Sequence, residues 1–292
     1  MFTTSYDSRL KAYNGLLYLF VFIAFTTILS SSALAHSIYI QSSRYFVTEG
    51  KSSPLFFCYG HHIPVDDGIR SKKLKYIKIF EPTGNVKQFQ IRDETCLHSY
   101  MVSYDHPGTY ALAAETNPGY YTVYIDKKGR ERHTIKPKNA IMDRAQSIKK
   151  SLYSNQHTKT YVVCNEPSQN FPYKIGQKLE LVPTRDISTI KPGENLELEV
   201  YYNGKKYEGE GTWDATYNGF STEAEDFFHQ AAKVTGGNIV VPVPRPGRWF
   251  VRFYFKTEAT GEDKEKYTQM KYTATLVFQV PNEKKTKREQ VH

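Results

Sequence analysis

A pattern of short alternating segments, each closed by glycine or proline, occurs twice in this 292-residue chain and restricts the fold to a tandem of similar β units. The first copy opens with the turn Thr48-Glu49-Gly50, runs through the apolar segment Pro54–Tyr59 to Gly60, and resumes much later across His98–Thr116. The second opens with Lys191-Pro192-Gly193, runs through Glu194–Tyr202 to the hairpin signal Asn203-Gly204, and resumes across Asn238–Thr257. Each late segment turns on a Pro-Gly corner, Pro107-Gly108-Thr109-Tyr110 in one copy and Pro246-Gly247-Arg248-Trp249 in the other. The spacing from Gly50 to Gly108 nearly equals that from Gly193 to Gly247. Successive side chains of a strand point to opposite faces, so period-two runs of this kind bury one face and turn the other outward, as antiparallel sandwich strands do. An aromatic content of 14% also suits strands. The expected fold is all-β, with two tandem antiparallel β-sandwich domains of immunoglobulin-like type and one short connecting helix.

That helix is expected where the pattern breaks. Ile141, Ala145, Ile148 and Leu152 recur at three- and four-residue steps, which predicts an amphipathic helix over Ala140–Asn155. The domain plan is a signal peptide at 1–35, an N-terminal sandwich at 36–139, and a helical connector with a linking strand at 140–174. A C-terminal sandwich at 175–281 and a charged flexible tail at 282–292 complete it.

The leader has the parts of a secretory signal: Arg9 and Lys11, the apolar run Leu16–Leu29, and the cleavage pattern Ala33-Leu34-Ala35. The run falls short of the ~20 apolar residues that span a bilayer. The expectation is export to the periplasm or the extracellular space, with cleavage after Ala35. The net charge of +9 is diffuse apart from Lys284-Lys285-Thr286-Lys287-Arg288, and no nucleic-acid motif accompanies it. Nucleic acid is therefore excluded as an expected partner, and peripheral contact with an acidic membrane or protein surface is left open. Export permits disulfides. The three cysteines, Cys58, Cys96 and Cys164, leave one over and contain no C-x-x-C pair. Either Cys58 and Cys96 join within the first unit, or all three are thiols.

Cleavage after Ala35 frees an α-amine beside the imidazole of His36. One residue then offers two nitrogen donors that close a chelate ring, the amine titrating near ~7.7–8.0 and the imidazole near ~6.5. A second candidate lies where the repeat departs from itself. The second copy has a plain Asn-Gly turn after its strand, whereas the first reads Gly60-His61-His62-Ile63-Pro64-Val65-Asp66-Asp67-Gly68. Gly60 frees the backbone and Pro64 ends the ladder, so a loop can turn His61 and His62 inward. With His36 they form a nitrogen-rich donor set that suits nickel or copper, with cobalt possible. Asp66 or Asp67 would orient a ligating imidazole from behind or serve as turn residues. His98, His106, His133, His157 and His229 have no partner at ligand spacing and are expected at surface or capping positions. The chain has no G-x-S-x-G, H-E-x-x-H or phosphate-binding glycine loop.

These motifs resemble a family of exported two-domain β proteins described as periplasmic components of cobalt/nickel uptake systems, the CbiK type, much of which is still called a domain of unknown function. The likeness runs from Ala33-Leu34-Ala35-His36 and the 59–67 loop through Asn117-Pro118-Gly119-Tyr120-Tyr121-Thr122 and Lys136-Pro137-Lys138-Asn139. It continues through Gly176–Pro183 and Lys191-Pro192-Gly193-Glu194 to Thr275-Leu276-Val277-Phe278. It departs at Ser37, where members of that family often carry aspartate. The resemblance implies a non-enzymatic protein that binds a divalent metal and supplies a membrane metal transporter. Two readings of other classes stand beside it. One is a structural or adhesive tandem β-sandwich whose histidines are incidental. The other is a copper-dependent oxidative polysaccharide enzyme, which also uses a terminal histidine and a second histidine on a β-sandwich.

Overall fold

The computed structural model describes residues 36–60, 63–97, 99–171 and 173–282. The expected signal at 1–35, His61, His62, His98, Pro172 and residues 283–292 of the expected tail lie outside the described residues.

The first half contributes β1 (Ser37–Ser42), β2 (Phe46–Val47), β3 (Lys51–Gly60), β4 (Leu74–Phe80), β5 (Val86–Gln88), β6 (Ser99–Tyr104), β7 (Gly108–Thr116), β8 (Gly119–Asp126) and β9 (Glu131–Thr134). The long β10 (Ala145–Cys164) follows. The second half contributes β11 (Leu179–Pro183), β12 (Glu194–Tyr202), β13 (Lys205–Lys206), β14 (Glu210–Tyr217), β15 (His229–Thr235), β16 (Asn238–Val243), β17 (Gly247–Glu258) and β18 (Gln269–Val280). The expected all-β sandwich architecture is what forms.

The repeat read in the sequence holds at the level of single hydrogen bonds. Gly50 donates its N–H to the Tyr104 carbonyl at 2.8 Å, and Gly193 donates to the Val243 carbonyl at 2.7 Å. At the Pro-Gly corners, Gly108 and Gly247 take φ of 128° and 135°, values that glycine reaches without strain. Four residues separate each aromatic anchor from its acceptor: the Tyr110 hydroxyl donates to the His106 carbonyl, and Trp249 Nε1 donates to the Arg245 carbonyl, both at 3.0 Å.

Each copy keeps its own small sheet, β1-β3-β6 in the first and β11-β12-β16 in the second, with β13 on β12. The facing sheets are fused edge to edge into one 11-stranded sheet. The seam is β10, antiparallel to β7 through Tyr161–Cys164 and parallel to β18 through Leu152–Thr160. The two small sheets cover opposite faces of this large one. Tyr161, Trp249, Phe253 and Leu276 point into the second core with Leu181, Leu198 and Val241. Val162 and Leu112 point the other way, into the first core with Ile38, Leu55 and Tyr104, and Phe250 and Val277 join Tyr39 and Cys58 on that side. The described residues from His36 onward accordingly form one compact unit.

The expected helix over Ala140–Asn155 is corrected by this arrangement. Lys138–Ile141 form a short 3-10 turn, and β10 begins at Ala145. Its pairing with β8 shifts register between Ala145 and Ser147 and again between Ile148 and Lys150. Each irregularity advances a strand's alternation by one residue, so period two reads locally as steps of three and imitates a helical stripe. The α-helix of the described residues, α1 (Asp263–Lys266), lies between β17 and β18 rather than between the domains. The cysteines are all free, so Cys58 and Cys96 are not joined; Cys58 and Cys164 are buried and Cys96 is half-buried.

His157 is also corrected: it is fully buried on β10, not a surface residue. Its Nε2 has no hydrogen-bond partner among the described residues, and Nδ1 lies 3.4 Å from the Thr273 carbonyl. Burial pushes the imidazole down to about 4, against the opposing pull of Glu115, whose Oε1 is 3.7 Å away, and with further lowering from Lys178 and Lys75. The unfolded ring takes up a proton near pH ~6.5, whereas the folded one does so only near pH 4. Stability is therefore held above that window and lost as pH falls through it, by roughly 3 kcal/mol for this group. Urea unfolding across this range is expected to show that loss in the wild type and a shallower one in His157→Gln; parallel profiles would contradict the assignment.

Candidate metal centre

The first residue after the expected cleavage site is fixed by its neighbours in β1, an edge strand of the first small sheet. The outer side of β1 rests on polar side chains rising from the large sheet, which satisfy backbone groups an edge would otherwise leave open. Ile38 N–H donates to Gln156 Oε1 at 2.7 Å, and Ile40 N–H donates to Thr158 Oγ1 at 3.0 Å. Thr275 Oγ1 donates to the Ile38 carbonyl at 2.7 Å, and Gln156 Nε2 donates to the His36 carbonyl at 2.9 Å. Beneath Ser37 lies a buried guanidinium: Arg252 Nη1 is 3.4 Å from Ser37 Oγ. Arg252 is clamped by Asp214 at 2.7 and 3.0 Å and by Glu225 at 2.7 and 3.2 Å.

The inner side of β1 pairs with β3, Ser37 opposite Gly60 and Ile38 opposite Tyr59. The His36 imidazole stacks on the Tyr59 ring, with centroids 5.3 Å apart and planes 15° from parallel. His36 therefore stands at the end of β3 from which the chain enters His61 and His62, whose own placement lies outside the described residues. Lys73 also holds the Tyr59 ring, its Nζ 2.9 Å from the hydroxyl and 4.1 Å from the ring centroid.

The rest of the loop returns to the same point. Tyr59 N–H donates to the Asp67 carbonyl at 2.6 Å, and Asp67 N–H donates to Asp66 Oδ1 at 3.0 Å. The Asp66 carboxyl lies against the Cα of Gly60, in space that any Cβ there would fill. Gly60 is thus required for the close approach of a carboxylate. Asp67 takes part through its backbone. Behind the loop, Gln41 Nε2 donates to the Pro64 carbonyl and lies 3.3 Å from Cys58 Sγ, while Arg248 Nη1 holds Gln41 Oε1 at 2.5 Å. Burial pushes the Cys58 thiol up, which keeps it protonated and disfavours it as a ligand.

Among the described residues, no group of three or more His, Cys, Asp and Glu side chains is arranged to hold a metal. The described donors at this end of β3 are the His36 imidazole and the Asp66 carboxylate, to which cleavage would add the α-amine. Of the other histidines, His133 bonds Tyr121 at 2.9 Å, and His229 Nε2 sits 2.7 Å from the Pro242 carbonyl, stacked on Trp249. His229 is half-buried, and packs on an aromatic ring at the surface. Sequence spacing missed the Arg252–Asp214–Glu225 clamp. Its one visible signal is an arginine inside the apolar run Trp249–Phe255, opposite Asp214 on the neighbouring strand.

Comparison with solved structures finds distant likenesses. The two tandem V-type regions of VCBP3, a v-region-containing chitin-binding protein, share 10% identity over 82% of this chain and 99% of that one, with a TM-score of 0.20. Murine CEACAM1b shares 10% over 84% and 99%, with a TM-score of 0.18. A DUF4785 family protein from Legionella pneumophila shares 9% over 73% and 50%, with a TM-score of 0.22. Comparison with curated proteins finds no match. A family model does match residues 33–257, and the chain belongs to the family described as a domain of unknown function, DUF4198.

Proposed function

We propose that this protein is an exported, non-enzymatic carrier of a divalent metal, with nickel or cobalt as cargo, that supplies a membrane metal-uptake transporter of the cobalt/nickel type. The observation that carries this reading is the pairing of Ser37 with Gly60. It sets His36 beside the point where two consecutive histidines begin. In this reading the α-amine and imidazole of His36 close a chelate, and His61 and His62 add imidazoles. Asp66 stands close enough to Gly60 to orient one of them or to neutralise charge. Nitrogen donors of this kind hold nickel and cobalt, and copper more tightly still, so selectivity among them rests on geometry and supply.

The test is calorimetric titration of the His36–His292 chain with Ni²⁺, Co²⁺ and Cu²⁺, beside a His61→Ala/His62→Ala variant. The expected result is one equivalent of metal bound by the wild type and affinity reduced by about a hundredfold or more in the variant, which is ~2.7 kcal/mol. Equal affinity in the two chains would remove the loop histidines from the site. Absence of binding by both would favour a structural or adhesive sandwich.

A further inference from the structure

The polar row that seats β1 does not stop where β1 stops. Along the parallel pairing of β10 and β18, Gln156 stands beside Thr273 and Ser154 stands beside Lys271. On the next strand, Lys256 lies opposite Lys271 and Tyr254 lies opposite Thr273. Gln156, Thr158 and Thr275 spend their side chains on the backbone of His36, Ile38 and Ile40. The next members of the row, past the N-terminal end of β1, have nothing to bond among the described residues. Ser154 Oγ and Thr273 Oγ1 are both buried without a hydrogen-bond partner.

Lys271 lies on the same face and is only 4% exposed. Among the described residues its ammonium makes no hydrogen bond and no ion pair; its polar contact is the face of Tyr254, 4.5 Å from the ring centroid. Most of the charges that act on it have its own sign. Lys256 is directly opposite, and Lys150 and Arg252 are close enough to join burial in pushing the Lys271 ammonium down to about 7. Asp214, the carboxylate that acts on it, is already engaged by Arg252. A buried charge without a partner is expensive, and like charges opposite one another on adjacent strands add to the cost. A methionine of similar shape would avoid both.

We propose that Lys271, Ser154 and Thr273 form a binding site for a small oxyanion, a carboxylate or phosphate-type group, at the N-terminal end of β1. An oxyanion supplies what the place lacks: negative charge for three lysines and acceptors for two hydroxyl donors. The Tyr254 ring lies against the Lys271 ammonium, and Lys150 and Lys256, half-buried and exposed, are the neighbouring lysines. The site adjoins His36 and stands independently of whether His36 holds a metal.

The test uses the His36–His292 chain, which contains both cores, in metal-free, weakly coordinating buffer. Thermal unfolding and calorimetry are followed against citrate and inorganic phosphate, with chloride at matched ionic strength. Binding to the folded state raises the unfolding temperature by mass action. The expected result is a concentration-dependent rise with citrate or phosphate beyond that with chloride, the stronger of the two identifying the source of the group. Lys271→Met is expected to melt higher than the wild type without anion and to lose the response to oxyanions by about tenfold or more in affinity, as removal of a charge-assisted bond requires. A wild type that responds to citrate and phosphate no more than to chloride overturns the proposal, as does a Lys271→Met chain that keeps the full response. Should Lys271→Met not fold, Ser154→Ala/Thr273→Val serves in its place, and unchanged oxyanion affinity in that variant is equally decisive against the site. Because no metal is present, failure here leaves the metal-carrier reading untouched, and failure of the metal titration leaves this one untouched.

Discussion

Replacing Glu180 by alanine is expected to lower the stability of the chain by about 3–5 kcal/mol, the loss typical of a buried ion pair deprived of one partner. Glu180 and Lys159 are each 1% exposed, and Lys159 Nζ reaches Glu180 Oε1 at 2.6 Å. The same carboxylate accepts three consecutive backbone N–H groups, from Ile175 at 2.7 Å, Gly176 at 3.0 Å and Gln177 at 3.1 Å. It therefore ties the start of the second sandwich to the seam strand β10. Alanine leaves a buried ammonium held by the Tyr173 carbonyl at 2.7 Å, and leaves three donors open. Urea unfolding measures the loss. The double variant Glu180→Leu/Lys159→Met is expected to recover a large part of it, because the charge is removed with its partner. A Glu180→Ala chain within about 1 kcal/mol of the wild type would show that the seam does not depend on this pair.

Asp214→Ala is expected to cost a similar amount, about 3–5 kcal/mol, and to reach the candidate site as well. Asp214 holds Arg252 by three hydrogen bonds at 2.7–3.2 Å, and Arg252 in turn lies under Ser37. Glu225 remains as a second partner, but its side chain is 23% exposed and its bond is correspondingly weaker. Freed from Asp214, the guanidinium must turn toward solvent or stay buried with half its charge uncompensated. Either outcome loosens the first residue of β1. The expected result is a lower urea midpoint together with weaker Ni²⁺ binding in the same chain. A fall in stability with metal affinity unchanged would confine the clamp to a structural role.

The sandwich repeat was legible in the sequence because its determinants are local. The turns at Gly50 and Gly193 and the corners at Gly108 and Gly247 need glycine in one conformation, and strand alternation leaves a period of two. The seam was not legible for the opposite reason. The outward positions Gln156 and Thr158 of β10 are polar because they serve the backbone of β1, more than a hundred residues earlier in the chain. Period-two reasoning takes such polar positions as solvent-facing, and the two register shifts near Ala145 and Ile148 complete the imitation of a helix. At the candidate site, His36 and the loop from Gly60 to Asp67 could be singled out because one copy of the repeat carries a plain turn where the other carries histidines. Nothing in one sequence indicated that Asp66 would fold back onto Gly60, or that Tyr59 would stack on His36. Both depend on the register of β1 against β3, which the first core imposes by burying Ile38 and Ile40 with Leu55 and Phe57.

The claim on which the function rests is that a free amino terminus at His36 shares in holding the metal. Its most direct measurement is calorimetry with Ni²⁺ on two chains, one starting at His36 and one carrying a single extra alanine before it. The extra residue keeps every side chain but turns the His36 amine into an amide and moves the free amine one residue away from the imidazole, which breaks the chelate at His36. The expected result is tight binding by the first chain and affinity lower by about a hundredfold or more in the second, ~2.7 kcal/mol. Equal affinities would contradict the chelate at His36 and leave the histidines of the loop to be explained without it.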